Sequence, residues 1–373
     1  MRQLCFSLTV ILFHLVSPGQ EHYLLVGTYD SPKSEGIYIY KFNSIDGSVK
    51  EAGHIKTSNP SYITISPDQK FVYAVHENGK DGKGGEVAAF SFNKQTGQLT
   101  LINQQSTGGD HPCYVEVDKT GKWVFAGNYS SGSLCVFPVG PNGGLAPASS
   151  IIQHEGAGQN LQRQKSPHVH CTVMSSDNKW LYVPDLGTDK LMIYQFDAST
   201  GKLIPGKQPY SISEPGAGPR HFTFDTVNKY GYLIEELSGT VVVYKKYKNG
   251  KLKKVQRIST MPAGDTSFAG SADIHVSPDG KFLYASNRSN SNTIAIYSVN
   301  QKGKLTLISH QSTLGKTPRN FNFDPSGKFL LVGNQHSDEI VIFKRDPVSG
   351  LLSDSEKRIV VGKPVCIKWI TAQ

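Results

Sequence analysis

Pro219-Arg220-His221-Phe222-Thr223-Phe224 is followed, after a polar turn, by Lys229-Tyr230-Gly231-Tyr232-Leu233-Ile234-Glu235-Glu236-Leu237. Both halves have strand length and strand residue types, so the pair reads as two short strands joined by a turn. In an antiparallel pair the start of the first strand lies beside the end of the second. Arg220 is therefore expected next to Glu236. The same two-strand phrase recurs along the chain, and the copies differ in the residues at those two ends.

A lysine precedes the second strand of each copy, at Lys70, Lys122, Lys179, Lys229, Lys281 and Lys328, at intervals of 47 to 57 residues. Tyr62-Ile63-Thr64-Ile65-Ser66-Pro67-Asp68 answers to Ile274-His275-Val276-Ser277-Pro278-Asp279. A third apolar strand follows each pair, at 86–92, 133–139, 190–196, 240–244, 293–299 and 339–343, and a fourth leads away, as at 98–102 and 304–308. Four-stranded units of about 50 residues indicate a β-propeller. Six units are whole, and a seventh is divided between the termini. Residues 23–29, 36–42 and 53–57 serve as its second to fourth strands, and 363–370 supply its first. The expected fold is all-β: one domain, 21–373, a seven-bladed β-propeller of four-stranded blades. The shared blade ties the ring shut and removes an exposed edge. Gly-His and Trp-Asp signatures are absent, which excludes the WD40 type.

Composition agrees with short strands and many turns: 37 Gly and 20 Pro in 373 residues. The formal charge of +9 is spread over turn lysines. A nucleic-acid binder concentrates such charge on one stripe, so no nucleic-acid partner is expected. Met1 to Gln20 has a basic start at Arg2, an apolar stretch from Leu4 to Val16, and Ser17-Pro18-Gly19. It reads as a secretory signal peptide, too short for a membrane span. The mature chain is then expected in the periplasm or outside the cell, with no membrane attachment. Cys113, Cys135, Cys171 and Cys366 form no CxxC pair and read as buried free thiols.

Propeller sites lie where the inner strands converge, at one mouth of the central channel. The repeat lists that mouth. Nine residues before each lysine stand Ser61, Cys113, His170, Arg220, Ala272 and Arg319, with Val365 in the shared blade. Seven after it stand Glu77, Tyr129, Leu186, Glu236, Arg288 and Gln335, with Tyr29. One residue earlier come His76, Asn128, Asp185, Glu235, Asn287 and Asn334, with Thr28. Positions needed only for packing would repeat, and these do not. A convergent polar set on one face is the natural site hypothesis.

Arg220 and Arg288 suit an anionic group or an oxyanion. Glu236 and His170 suit proton transfer if burial tunes them. Such a set serves ester or lactone hydrolysis by activated water, or the reverse cyclisation. His168 and His170 share a strand face, but no convincing third ligand accompanies them, so no metal is expected. There is no G-x-S-x-G, H-E-x-x-H or Walker A motif. Asp273 and His275 read as local hydrogen-bonding residues. The basic run 245–254 reads as a solvated edge.

At these residues the chain resembles the seven-bladed lactonase family, which includes propeller-type 6-phosphogluconolactonases and the fungal carboxymuconate lactonizing enzyme. The resemblance rests on Gly127-Asn128-Tyr129-Ser130-Ser131-Gly132-Ser133, Pro167-His168-Val169-His170, Asp185-Leu186-Gly187-Thr188-Asp189-Lys190, Gly218-Pro219-Arg220-His221, Glu236-Leu237, Ser286-Asn287-Arg288, Thr317-Pro318-Arg319-Asn320-Phe321 and Gly333-Asn334-Gln335. It implies an active site of His170 (or His168), Arg220, Glu236 and Arg288. Glu235 stands where the family commonly has Asn and would set a second carboxylate against an anionic substrate. The expectation is a cofactor-independent lactonase, most like a 6-phosphogluconolactonase, acting on a lactone or anionic sugar. Tyr29, Glu77, Asn128, Tyr129, His168, Asp185, Asn287, Arg319, Asn334 and Gln335 are expected to hold the substrate. The rival readings are a lactonizing cyclase and a non-catalytic binding propeller.

Overall fold

The computed structural model describes residues 21–80 and 84–371, and all its named elements are strands. The expected signal segment lies outside the described residues. The strands form seven four-stranded sheets. Blade 1 combines Glu21–Thr28, Ile37–Asn43 and Val49–Ile55 with Pro364–Thr371. Blades 2 to 7 span 63–106, 112–153, 173–212, 219–259, 271–312 and 318–360. Pro364–Thr371 pairs with Glu21–Thr28 from His22↔Thr371 to Gly27↔Cys366, so both ends of the chain close the ring as the repeat predicts.

Middle strands are buried along their whole length, as in Trp180–Asp185 and Phe282–Asn287, because each sheet is covered on both faces by its neighbours. Outer strands alternate toward solvent, as in Lys202–Ile212. Each apolar cluster joins facing sheets: Tyr232 and Val243 of blade 5 pack on Leu283 and Tyr297 of blade 6, which passes Tyr284 and Ile296 to Phe321 and Phe343 of blade 7. Burying one such large side chain contributes about 1.5–3 kcal/mol. Cys113, Cys135, Cys171 and Cys366 are buried and free, as expected.

A second repeat lies at the outer rim. The turn before each fourth strand carries a glycine with φ between 69° and 80°: Gly47, Gly97, Gly143, Gly201, Gly250, Gly303 and Gly350. Each seats an aromatic ring from the start of the preceding blade's second strand: Phe329, Tyr23, Phe71, Trp123, Trp180, Tyr230 and Phe282 respectively. A Cβ at any of these glycines would stand 2.2–2.7 Å from the ring. Only glycine supplies both the left-handed turn and the close approach. The contact repeats at every blade junction, including the one from blade 7 back to blade 1.

The inner strands break their own alternation where they begin. Pairing runs Pro112↔Asn128 then Tyr114↔Gly127, Pro219↔Glu235 then His221↔Ile234, and Pro318↔Asn334 then Asn320↔Gly333. Cys113, Arg220 and Arg319 are thus left outside the ladder as bulge residues. A bulge next to a site re-aims a side chain. It also allows two consecutive residues, such as Arg220 and His221, to face the channel.

Candidate active site

The bulge residues and the ends of the second strands enclose a cavity of about 250 Å³ at one mouth of the channel. Eight expected residues line it: Tyr29, Glu77, Tyr129, His170, Arg220, Glu236, Arg288 and Arg319. Cys113 and Arg163 complete the wall. A larger groove of about 590 Å³ lies among the turns around Ser66, Thr120 and Ala198. Ser66 and Thr120 follow inner strands and Ala198 follows the third strand of its blade, so the groove is at the other end of the blades. It gathers no comparable set of charges, and its size alone does not make it a site.

Glu236 is the centre of the cup. Arg220 Nη1 donates to its Oε2 at 2.5 Å, Arg288 Nη2 approaches Oε2 at 2.9 Å, and Arg163 Nη2 donates to Oε1 at 2.7 Å. Burial alone would raise this carboxyl, but the guanidiniums of Arg288, Arg220 and Arg163 outweigh it and hold it well below the usual carboxylate range. Glu236 is therefore ionised at neutral pH. Burial also pushes Arg288 down to about 9, with Arg220, Arg319 and Arg163 adding to the fall and Glu236 opposing it.

Arg220 is held on two further sides. Its Nε donates to the Ala272 carbonyl at 3.0 Å, and Nη1 makes a short contact with His170 Nε2. A guanidinium only donates, so His170 Nε2 accepts and Nδ1 carries the ring proton. That Nδ1 lies 3.6 Å from the Cys113 sulfur. Burial, then Arg220, His221 and Arg319, hold His170 well below the ordinary histidine range. His170 is neutral and its basic nitrogen is occupied.

The other half of the cup is arranged differently. Glu77 accepts from Tyr29 Oη at 2.7 Å and makes a short hydrogen bond with Ser61 Oγ. Arg319 lies over the Tyr29 ring at 5.4 Å. Its guanidinium makes no side-chain hydrogen bond or ion pair among the described residues. Four guanidiniums thus face the cup against two carboxylates, Glu77 and Glu236.

Six expected residues do not line the cavity. Asn128, Asn287 and Asn334 are fully buried at the strand ends, where each amide donates to the carbonyl of a neighbouring loop: Thr107, Thr260 and Thr313. They tie loops, because the ladder turns alternate residues away from the channel. Asp185 accepts from His154 Nδ1 at 2.8 Å and from the amides of His168 and Gly187. His168 stacks on Tyr129 with ring centroids 4.4 Å apart and bonds its carbonyl, so it braces a wall residue from behind. The backbone N–H of Gln335 donates to the Thr317 carbonyl, and the residue does not line the cavity. Glu235 also turns outward, to Thr240 Oγ1 and Arg257 Nε, and does not oppose a substrate.

Arg163 was not among the expected residues. It belongs to the insert at 156–165, which is folded around buried Gln164. That amide donates to the Leu186 carbonyl and to Asp189 Oδ1. The insert thereby delivers Arg163 across to Glu236 and to Tyr129 Oη at 3.2 Å. The available signal was a lone arginine in an insert on the same end of the blade as the second-strand ends.

The ring thus has seven blades, and a carboxylate gripped by three arginines stands at one mouth. The model of the seven-bladed β-propeller lactonase family matches residues 23–369, and the chain belongs to that family. Among its relatives is a 6-phosphogluconolactonase of Formosa agariphila, 38% identical over 353 residues, covering 93% of this chain and 99% of that one. A 6-phosphogluconolactonase of Bacillus subtilis is 35% identical over 348 residues, covering 92% and 97%. The periplasmic gluconolactonase of Pseudomonas aeruginosa superposes with a TM-score of 0.90 at 38% identity, covering 95% of this chain and 100% of that one.

Proposed function

We propose that this protein hydrolyses a sugar-type lactone bearing an anionic group, of the 6-phosphogluconolactone kind, to the open acid. The observation that carries the reading is the excess of guanidinium over carboxylate in the cup, with the half-buried Arg319 making no hydrogen bond or ion pair to an anion among the described residues. A guanidinium that faces the cup with its donors unused suits a phosphate or carboxylate, which accepts two hydrogen bonds from it side by side. Two relatives are named for a phosphorylated lactone of this kind and a third for gluconolactone, which supports the same ring-opening chemistry. No cofactor is called for.

In this reading Arg220 and Arg288 stabilise the oxyanion that forms when water adds to the lactone carbonyl. Arg319 and Arg163 hold the anionic group. Tyr29, Glu77 and Tyr129 shape the wall. Glu236 and His170 fix the guanidiniums in place. An ionised Glu236 offers no proton at neutral pH, which weakens the expected acid role, and His170 has its basic nitrogen on Arg220. Acid release from glucono-δ-lactone and its 6-phosphate tests the reading. We expect activity on both and a lower KM for the phosphate, and Arg319→Gln should remove that preference. Wild-type protein that opens neither lactone refutes the proposal.

Location is part of the proposal. A periplasmic or secreted protein fits the signal-like start and the periplasmic relative, and no helix of the described residues is long and apolar enough to cross a membrane. The mass of the mature chain recovered from cell fractions checks it: loss of about 20 residues is expected.

A further inference from the structure

Directly beneath the cup is a second, much smaller chamber. Its walls include Ser61, Cys113, His170, Arg220, His221 and Arg319, four of which also line the cup. It leaves about 10 Å³ for the centre of a water molecule, room for one. The walls are polar enough to bind that water, with arginine donors, a serine hydroxyl and imidazole.

His221 is built as a base. Its Nδ1 lies 2.8 Å from Asp273 Oδ1. Asp273 also accepts from His275 Nε2 at 3.1 Å, from Asn320 Nδ2 at 2.5 Å and from the amide of Phe321 at 3.2 Å. Those donors fix the carboxylate, which in turn fixes the His221 tautomer with its proton on Nδ1. His221 Nε2 is left as an acceptor and makes no hydrogen bond among the described residues. Burial holds this ring at about 4, with Asp273 pulling the other way, so it is neutral near pH 7. Its ring centroid is 5.3 Å from that of His170, whose own acceptor nitrogen is taken by Arg220.

We propose that the chamber holds the nucleophilic water and that His221, oriented by Asp273, takes its proton. The inference rests on the lactonase reading above. The water oxygen forms a bond to the lactone carbonyl carbon while its proton passes to His221 Nε2. The carbonyl electron pair moves onto the oxygen facing Arg220 and Arg288. When that intermediate collapses, the bond from carbon to the ring oxygen breaks, and the proton on His221 is returned to the departing oxygen. Lactone and water give hydroxy acid, with His221 unchanged. His221 is then a catalytic residue and Asp273 a positioning residue.

His221→Asn keeps a donor for Asp273 and removes the ring acceptor Nε2. On glucono-δ-lactone 6-phosphate its kcat should fall about 100-fold while KM stays within about threefold. Asp273→Asn favours the wrong tautomer and should give the same kcat-only loss. A His221→Asn kcat within about threefold of wild type, or a loss carried by KM, overturns the inference. If that variant does not fold, a high-resolution crystal structure of the wild-type protein decides. A water within hydrogen-bond distance of His221 Nε2 supports the proposal, and a chamber without density overturns it. Wild-type protein that opens neither lactone overturns the lactonase reading with it. An unimpaired His221→Asn overturns the inference alone.

Discussion

At the outer rim every blade presents the same pair, a left-handed glycine beneath a neighbour's aromatic ring. At the inner mouth the blades present Ser61, Cys113, His170, Arg220, Ala272, Arg319 and Val365 at one repeat position. Both sets are read off the same repeat, yet they answer different demands. The rim must join identical neighbours, so one solution serves at every junction. The mouth brings seven positions to one place, so each may differ, and together they compose a site no blade could hold alone. Agreement between repeats marks what holds the ring, and disagreement marks what it does.

The sharpest way to break that contrast is Glu236→Ala. It leaves three guanidiniums around an empty centre. Removing one partner from a buried ion cluster costs about 3–5 kcal/mol. We expect a loss of at least about 1,000-fold in kcat/KM with a fall in urea midpoint, because here the mouth also carries stability. Gly201→Ala should do the reverse. Its Cβ would lie 2.2 Å from the Trp123 ring at a φ of 72°. Overpacking and backbone strain together should cost about 2–3 kcal/mol in denaturant unfolding, with kcat unchanged. Full stability in that variant would mean the rim contact is incidental.

Arg163→Gln tests the insert. Because Arg163 is the most exposed of the arginines on Glu236, melting temperature should hardly change. KM for the phosphorylated lactone should rise about tenfold and that for the neutral lactone much less, in side-by-side kinetics. The smallest effect is in acid. The folded-state pKa of Glu236 is lowered, so its stabilising contribution is complete above the unfolded value of about 4.3 and is lost as pH falls below it. The stability gap between wild type and Glu236→Gln should therefore be flat near neutrality and narrow in melts below about pH 4.

Much of this was legible in the sequence, for reasons that differ by residue. The turn lysines give the repeat its register, and register placed Arg220, Glu236, Arg288, His170 and Arg319 at one mouth. Position alone did not give side-chain direction. Asn128, Asn287 and Asn334 stand one residue before the strand ends that reach the cup, and the pleat turns them into loop ties. His221 escaped for the opposite reason. Strict alternation faces it away from Arg220, and only the bulge after Pro219 brings both inward. Arg163 belongs to no repeat position, so counting could not place it. The rim contact was not read from the repeat, because each glycine's aromatic partner belongs to the preceding blade and the two come together only in the folded ring.

The shared blade has a consequence for how the molecule is made. Three strands of blade 1 are finished by residue 55, but their inner partner Pro364–Thr371 lies at the far end of the chain. At roughly 5–20 residues per second, synthesis leaves blade 1 waiting on the order of 15–60 s for it. Until then Leu24 and Val26 have no Ile367 to pack against. Gly47 likewise waits for Phe329, so the first turn of the ring is among the last to be seated. A ribosome stalled before residue 364 would hold a row of blades with two open ends, and the final eight-residue strand is what converts that row into a ring.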